Sequence, residues 1–192
     1  MKSILNTIVR FLVVVLVATL FACEPALEDP YEKFIIPAGK HSGLWKMQSL
    51  QSKALNFSVI FDQSAIYQAA TKENQHDIHK LMGFSDCNST HHDNSARFGW
   101  RWLDGKLEIH AYAYVAGERI TQYIGDVALN EPNDYQLQIT EDEYVFYLQG
   151  YDPVRITREA PCSKGLYYML FPYFGGNEVA PHDILIQILT KY

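Results

Sequence analysis

The sequence lacks the run of about 20 apolar residues that a membrane-spanning helix needs. Its longest apolar segment, residues 11–22, follows the positive charges of Lys2 and Arg10. This order predicts an export signal over residues 1–22. Without that segment, which carries two positive charges and no negative ones, the net charge changes from −6 to −8. So acidic a chain lacks the basic surface that nucleic-acid binding requires.

Several catalytic motifs are also absent. The sequence has no Cys-x-x-Cys, His-Glu-x-x-His or Gly-x-Ser-x-Gly and no phosphate-binding glycine loop, so zinc, serine-hydrolase and nucleotide chemistry have no support. The histidines in 76–79 and 91–92 lack the spacing of a recognised zinc site. The contiguous acids 141–143 are typical of a turn, whereas glycosidase carboxylates alternate along a strand. We therefore expect no metal and no cofactor.

Cysteine is scarce, with three residues in the chain. Cys23 ends the tetrapeptide Leu20-Phe21-Ala22-Cys23, which resembles a bacterial lipobox and predicts a lipidated N-terminal cysteine; the alternative is an ordinary secretory signal. Cys87 and Cys162 then remain as an even pair in a compartment that permits disulfides, which predicts one bridge. We expect a monomer in the bacterial cell envelope, anchored to the membrane through Cys23 and facing the periplasm or the cell exterior.

Alternation with a period of two dominates the rest of the chain. Residues 23–40 are rich in Pro, Glu and Asp and predict a tether, followed by a single domain over 41–192. Residues 63–81 have helical leanings or form a long loop. Strands are predicted at 55–61, 94–103, 106–115, 119–127, 135–140, 144–149, 166–171 and 183–190. Many short strands without β-α-β alternation predict an all-β, antiparallel sandwich or barrel.

Asp104-Gly105 is a strong hairpin signal between two of these strands. If Leu103 pairs with Lys106, the register places eight residues on one face of the hairpin, which is polar: Ser95, Arg97, Gly99, Arg101, Glu108, His110, Tyr112 and Tyr114. The opposite face then carries core residues. Gly99 predicts a gap where a flat ligand could approach the backbone. This face is either the solvated side of a sheet, with an Arg101–Glu108 ion pair, or a binding surface.

Four segments resemble polysaccharide lyases with a concanavalin-like jelly roll, which cleave alginate or glucuronan by β-elimination. They are His79-Lys80-Leu81-Met82-Gly83-Phe84, Ser95-Ala96-Arg97-Phe98-Gly99-Trp100, Tyr112-Ala113-Tyr114 and Tyr173-Phe174-Gly175-Gly176-Asn177. The resemblance implies an antiparallel jelly-roll β-sandwich. It also implies a substrate groove lined by Lys80, Ser95, Arg97, Tyr112 and Tyr114.

Beta-elimination needs a group that neutralises the uronate carboxylate, a proton acceptor, and a donor to the leaving oxygen. With Lys80 nearby, Arg97 could hold the carboxylate. Tyr112 and Tyr114 could share the proton transfers if the positive charges lower a phenol pKa. The alternative bases are His91, His92 and His110, which with Ser95 and Arg101 complete the predicted substrate-binding set.

Three functions therefore remain open. The first is an envelope lyase that cleaves a uronic-acid-containing polysaccharide. The second is a non-catalytic carbohydrate-binding lipoprotein with the same fold, whose partner is an acidic polysaccharide or another glycan. The third is a structural protein of the envelope.

Overall fold

A computed structural model of the chain describes residues 29–43, 46–158 and 167–191. The chain divides into two compact units, and the second, Tyr31–Tyr192, contains every described strand. Among the described residues, no helix is both long and apolar enough to cross a bilayer. Cys23 and Cys162 lie outside the described residues, so the lipid anchor and the disulfide stay predictions.

The described residues contain twelve strands, which form two six-stranded antiparallel sheets. The first sheet has the order β1-β12-β3-β8-β9-β10 and the second β2-β11-β4-β5-β6-β7. The strands are β1 Glu32–Ile36, β2 Ser49–Leu50, β3 Ala54–Phe61, β4 His79–Ser85, β5 Ser95–Leu103, β6 Lys106–Val115, β7 Glu118–Val127, β8 Asn133–Ile139, β9 Glu143–Leu148, β10 Val154–Thr157, β11 Tyr167–Leu170 and β12 Ile184–Lys191. This architecture confirms the predicted all-β, antiparallel fold.

The alternating apolar residues of the strands form the core of this unit. Phe57 of β3 stacks on Tyr135 of β8, with ring centroids 5.1 Å apart, and meets Phe98 of β5 edge-on at 5.8 Å. Phe98 in turn packs edge-on against Phe146 of β9 at 5.3 Å. Burying each of these rings stabilises the fold by about 1.5–3 kcal/mol. The apolar side chains of β5 and β6 that point inward are therefore part of the core. The opposite face of these two strands carries the polar residues of the candidate site.

Of the two interpretations of residues 63–81, the helical one is wrong, and the structure is closer to the long loop. This segment contains two single-turn 3-10 helices, Gln63–Ala65 and Asn74–His76, and the start of β4. Asp62 caps the first turn by accepting from the Ser64 N–H, but Ile66 is already extended. The sequence hides β4 because its register shifts between Lys80 and Gly83, which breaks the alternation.

The predicted tether over 23–40 is too long at its C-terminal end. Strand β1 lies within it and pairs with β12 at the edge of the first sheet, where Ile36 is buried. The folded unit therefore begins before residue 41. A short edge strand shows little alternation, because Ile36 is its single fully buried residue.

A buried ion pair links the two sheets. Asp86, directly after β4, accepts hydrogen bonds from Arg158 Nε at 2.9 Å and from the Tyr144 hydroxyl at 2.8 Å. Arg158 Nη2 also lies 2.7 Å from the same carboxylate oxygen, and both charged side chains are buried. Removing one partner of such a pair leaves an uncompensated buried charge, which typically costs 3–5 kcal/mol.

We therefore predict that Asp86→Asn lowers the free energy of unfolding by about 3 kcal/mol or more. The matched control is Asp134→Asn, because Asp134 pairs with Lys191 at 2.6 Å on the surface; its loss should cost less than about 1 kcal/mol. Urea denaturation measures both values. Equal, small effects would contradict a structural role for the buried pair.

Candidate functional site

The hairpin of β5 and β6 has the predicted register. Arg97 pairs with Tyr112, Ser95 with Tyr114, Gly99 with His110, and Arg101 with Glu108. Asp104 and Gly105 both have positive φ, at 51° and 78°, as a two-residue type I′ turn requires. The turn therefore fixes which residues share the polar face.

The polar face is not the solvated side of a sheet. Ser95, Arg97, His110 and Tyr112 are all buried, and Arg97 is 5% exposed. A polar face of an antiparallel sheet that has no binding role is usually exposed to solvent. Burial of charged and hydroxyl groups on this face therefore needs an explanation from its contacts.

A cationic cluster, which we define as Lys80, Arg97, Tyr112, Tyr114 and Tyr173, occupies one end of this face. Lys80 Nζ lies 5.5 Å from the Tyr112 ring centroid and 5.2 Å from that of Tyr173, and Arg97 Cζ lies 5.7 Å from the Tyr112 centroid. The two phenol rings of Tyr112 and Tyr114 are 6.0 Å apart. These distances bring the four predicted catalytic residues together.

Neither cation of this cluster has a carboxylate within ion-pair distance among the described residues. Arg97 Nε is buried without a hydrogen-bond partner. Burial lowers the pKa of Arg97 to about 10. Burial, and then the charges of Arg97 and Arg119, lower the pKa of Lys80 to about 8, against the opposing charge of Asp77. Because buried charge is costly without a counterion, this arrangement suits an anionic ligand.

The expectation of a lowered phenol pKa is wrong for Tyr112. Burial and then the neighbouring Tyr114 raise the pKa of Tyr112 to about 12, and this outweighs the opposing charges of Arg97 and Arg119. Tyr112 is 2% exposed, so loss of solvation dominates. Its phenol therefore stays protonated near neutral pH and suits a proton donor, not a base.

Two histidines reach the cluster from the turn before β5. The His91 and His92 rings are 4.2 Å apart, and the His92 ring lies 5.3 Å from that of Tyr114. Burial, and then the positive charges of Arg97, His92 and Lys80, lower the pKa of His91 to about 4. His91 is therefore neutral near pH 7 and can accept a proton.

Ser95 has a different contact from the predicted one. Its side chain is fully buried, and its hydroxyl donates to the His91 carbonyl oxygen at 2.7 Å. In this arrangement Ser95 holds the turn that carries His91 and does not present its hydroxyl to a substrate.

Arg101 and His110 belong to a second group on this face, which we define as the paired-charge cluster of Arg101, Glu108, His110, Tyr123 and Asp126. Glu108 Oε2 lies 2.6 Å from Arg101 Nε and 3.1 Å from His110 Nε2. The Tyr123 hydroxyl donates to Asp126 Oδ1 at 2.9 Å. Burial lowers the pKa of His110, partly offset by Glu108. Arg101 follows Arg97 by four strand residues, which corresponds to about 13 Å.

The gap predicted at Gly99 does not exist. A Cβ at Gly99 would lie 2.4 Å from Ile78 Cγ2, so the Ile78 side chain fills the space over this residue. Gly99 therefore admits a neighbouring side chain instead of a ligand. The sequence motif cannot show this, because Ile78 lies outside the hairpin.

Two further aromatic residues, Tyr173 and His41, lie at this end of the site without a role predicted from the sequence. Tyr173 is held by backbone hydrogen bonds with Lys80 in both directions, at 2.8 and 2.9 Å. The His41 ring stacks on it at 5.2 Å with an interplanar angle of 5°, and His41 Nδ1 lies 2.8 Å from the Phe174 carbonyl oxygen. Tyr173 belongs to the motif Tyr173-Phe174-Gly175-Gly176-Asn177, so the sequence resemblance already marked its segment. No local signal marks His41, because its contacts join residues 133 positions apart.

Comparisons with known proteins bear on the fold. No protein-family model and no curated protein matches the sequence. Among solved structures, the alginate lyase from Klebsiella pneumoniae matches with a TM-score of 0.55 and 12% identity, over 72% of this chain and 58% of that one. The alginate lyase vAL-1 from Chlorella virus matches with a TM-score of 0.53 and 11% identity, over 88% of this chain and 86% of that one. SCLam, a non-specific endo-β-1,3(4)-glucanase from family GH16, matches with a TM-score of 0.51 and 8% identity, over 74% of this chain and 57% of that one.

At such low identity these likenesses show the fold alone. They confirm the concanavalin-like jelly roll that the sequence resemblance implied, which lyases and glucanases share. The chain spans 58% of the length of the Klebsiella pneumoniae lyase. The fold therefore does not distinguish a lyase from a glucanase, and only the side chains of the site can do so.

Arg97, a buried cation without a carboxylate partner in the described part of the chain, should respond unusually to substitution. Arg97→Met keeps the length of the side chain and removes the charge, so it should raise the free energy of unfolding by about 1 kcal/mol or more. Arg158→Met is the matched control. It should lower the free energy of unfolding by about 3–5 kcal/mol, because it leaves the buried Asp86 carboxylate without its counterion. Chemical denaturation measures both. If Arg97→Met destabilises as much as the control, Arg97 is a structural residue.

Proposed function

We propose that this chain binds a uronic-acid-containing polysaccharide through the cationic cluster and cleaves it by β-elimination, as a lipoprotein of the bacterial envelope. The observation that carries the proposal is the pair of cations, Arg97 and Lys80, which face two phenols without a carboxylate partner among the described residues. The alginate lyases that share its fold support the choice of a polyanionic sugar.

The uronate carboxylate binds first in this mechanism. The planar Arg97 guanidinium can take it through two parallel hydrogen bonds, and Lys80 adds a second positive charge. As the proton on the neighbouring carbon leaves, negative charge develops on the carboxylate. Fixed cations in a buried site stabilise that charge more than water does, which is the larger part of the catalytic effect.

The proton transfers then need one acceptor and one donor. The C5–H bond breaks and its proton passes to a base, the electron pair forms the C4=C5 double bond, and the C4–O bond breaks as the leaving oxygen takes a proton. Neutral His91 suits the acceptor role better than Tyr112, since the Tyr112 phenol is protonated. Tyr114 is half-buried whereas Tyr112 is buried, so a substrate reaches the Tyr114 phenol more easily and we assign it as donor. The step balances without a cofactor.

Activity should appear as rising ultraviolet absorbance of the unsaturated product when the protein is mixed with a uronate polymer. Tyr114→Phe and His91→Gln should each lower kcat about a hundredfold or more, because each removes a proton-transfer group. Tyr147→Phe is the control, since Tyr147 lies on β9 in the other sheet. Full activity in both Tyr114→Phe and His91→Gln would refute the assigned roles.

The pH profile of kcat/KM provides an independent prediction. The rate should fall below about pH 4 as His91 becomes protonated, and above about pH 8 as Lys80 loses its charge. Lys80→Arg keeps the charge at high pH, so it should move the alkaline limb upward by at least one pH unit. An unmoved alkaline limb would show that Lys80 does not cause it.

A non-catalytic glycan-binding protein is the second candidate. Burial of Tyr112 favours it, since a buried phenol with a raised pKa is also what a purely structural role would produce. This candidate predicts binding of uronate oligomers that Arg97→Met abolishes, with no change in absorbance.

A further inference from the structure

We infer that the paired-charge cluster is a second sugar subsite that accepts a neutral sugar, so that the polysaccharide joins uronate to uncharged residues. This inference rests on the proposed function and names its substrate class. It depends on the contrast between the two ends of a single sheet face.

Both clusters include residues of the β5–β6 hairpin. Arg97 and Tyr112 pair at one end of the polar face, and Arg101 and Glu108 pair nearer the turn. Four strand residues separate the two pairs, which corresponds to about 13 Å. A polymer that places a carboxylate on Arg97 and also reaches the paired-charge cluster therefore brings a different sugar unit to that cluster.

The charges at this second position are already satisfied. Arg101 is bound by Glu108 at 2.6 Å, and its Nη1 donates to the His76 carbonyl oxygen at 2.9 Å. Lys106 pairs with Asp126 at 3.0 Å. A second uronate carboxylate would find each of these cations engaged and two carboxylates nearby. An uncharged sugar meets no such repulsion, and its hydroxyls can hydrogen-bond to Glu108 and Asp126.

Tyr123 supplies an apolar surface at the same position. Its side chain is 49% exposed, although its hydroxyl is held by Asp126 at 2.9 Å. The ring also stands edge-on to His110, with centroids 5.6 Å apart. An aromatic ring that is both anchored and exposed offers a flat platform at little entropic cost, which suits the apolar face of a sugar.

The test compares two β-1,4-linked hexasaccharides: one of glucuronate alone, and one that alternates glucuronate with glucose. All proteins in this test carry Tyr114→Phe, which slows cleavage of both oligomers, and binding to the full-length chain is measured by calorimetry at pH 6; "unmodified" here means without any further substitution. The alternating oligomer should bind at least tenfold more tightly. Tyr123→Ala should weaken its binding about tenfold, whereas Tyr123→Phe, which retains the ring, should change it by less than threefold.

A charge-removal variant tests the cause of the preference. Glu108→Gln/Asp126→Asn should bind the all-glucuronate oligomer at least fivefold more tightly than the unmodified protein. Glu143→Gln/Asp134→Asn makes the same change in charge on the other sheet, where these acids pair with Arg155 and Lys191, and should leave both affinities unchanged.

Equal affinities for the two oligomers in the unmodified protein would overturn the neutral subsite, and so would an equal gain in the control variant. The proposed function fails separately, if neither oligomer binds or if Arg97→Met binds both as well as the unmodified protein.

Discussion

The antiparallel pairing of β5 with β6 is the constraint on which the site depends. Its register follows from the two-residue turn at Asp104 and Gly105, both with positive φ. Because side chains alternate along a strand, a slip of one residue would turn Arg97 and Tyr112 into the core and expose Phe98. The aromatic contacts of Phe98 with both Phe57 and Phe146 make that slip costly. The packing of the core thereby fixes the positions of the polar groups.

Two buried arginines have different surroundings. Arg158 has Asp86 as its counterion and joins the two sheets, so its charge contributes to folding. Arg97 lies over the Tyr112 ring, with its Nε unsatisfied. A cation–π contact offsets only part of the lost hydration. A buried cation without a carboxylate partner in the described part of the chain suits the anion-binding role that we propose for Arg97.

Local signals predicted the fold class, most strands and the hairpin register, because alternation and turn chemistry act over a few residues. They failed where a contact distant in sequence decided the outcome. The bulge in β4 hid that strand, Ile78 closed the space at Gly99, and burial reversed the expected direction of the Tyr112 pKa shift. Arg101 and His110 both contact Glu108, and the predicted register permits these contacts but does not require them.

The central claim is that Arg97 is the receptor for a uronate carboxylate. A crystal structure of the complex with a glucuronate-containing oligosaccharide tests it most directly. The account predicts a carboxylate at hydrogen-bond distance, about 2.7–2.9 Å, from the Arg97 guanidinium, with the adjoining sugar ring beside Tyr114. A sugar bound elsewhere on the molecule, with the Arg97 guanidinium still without an anionic partner, would contradict it.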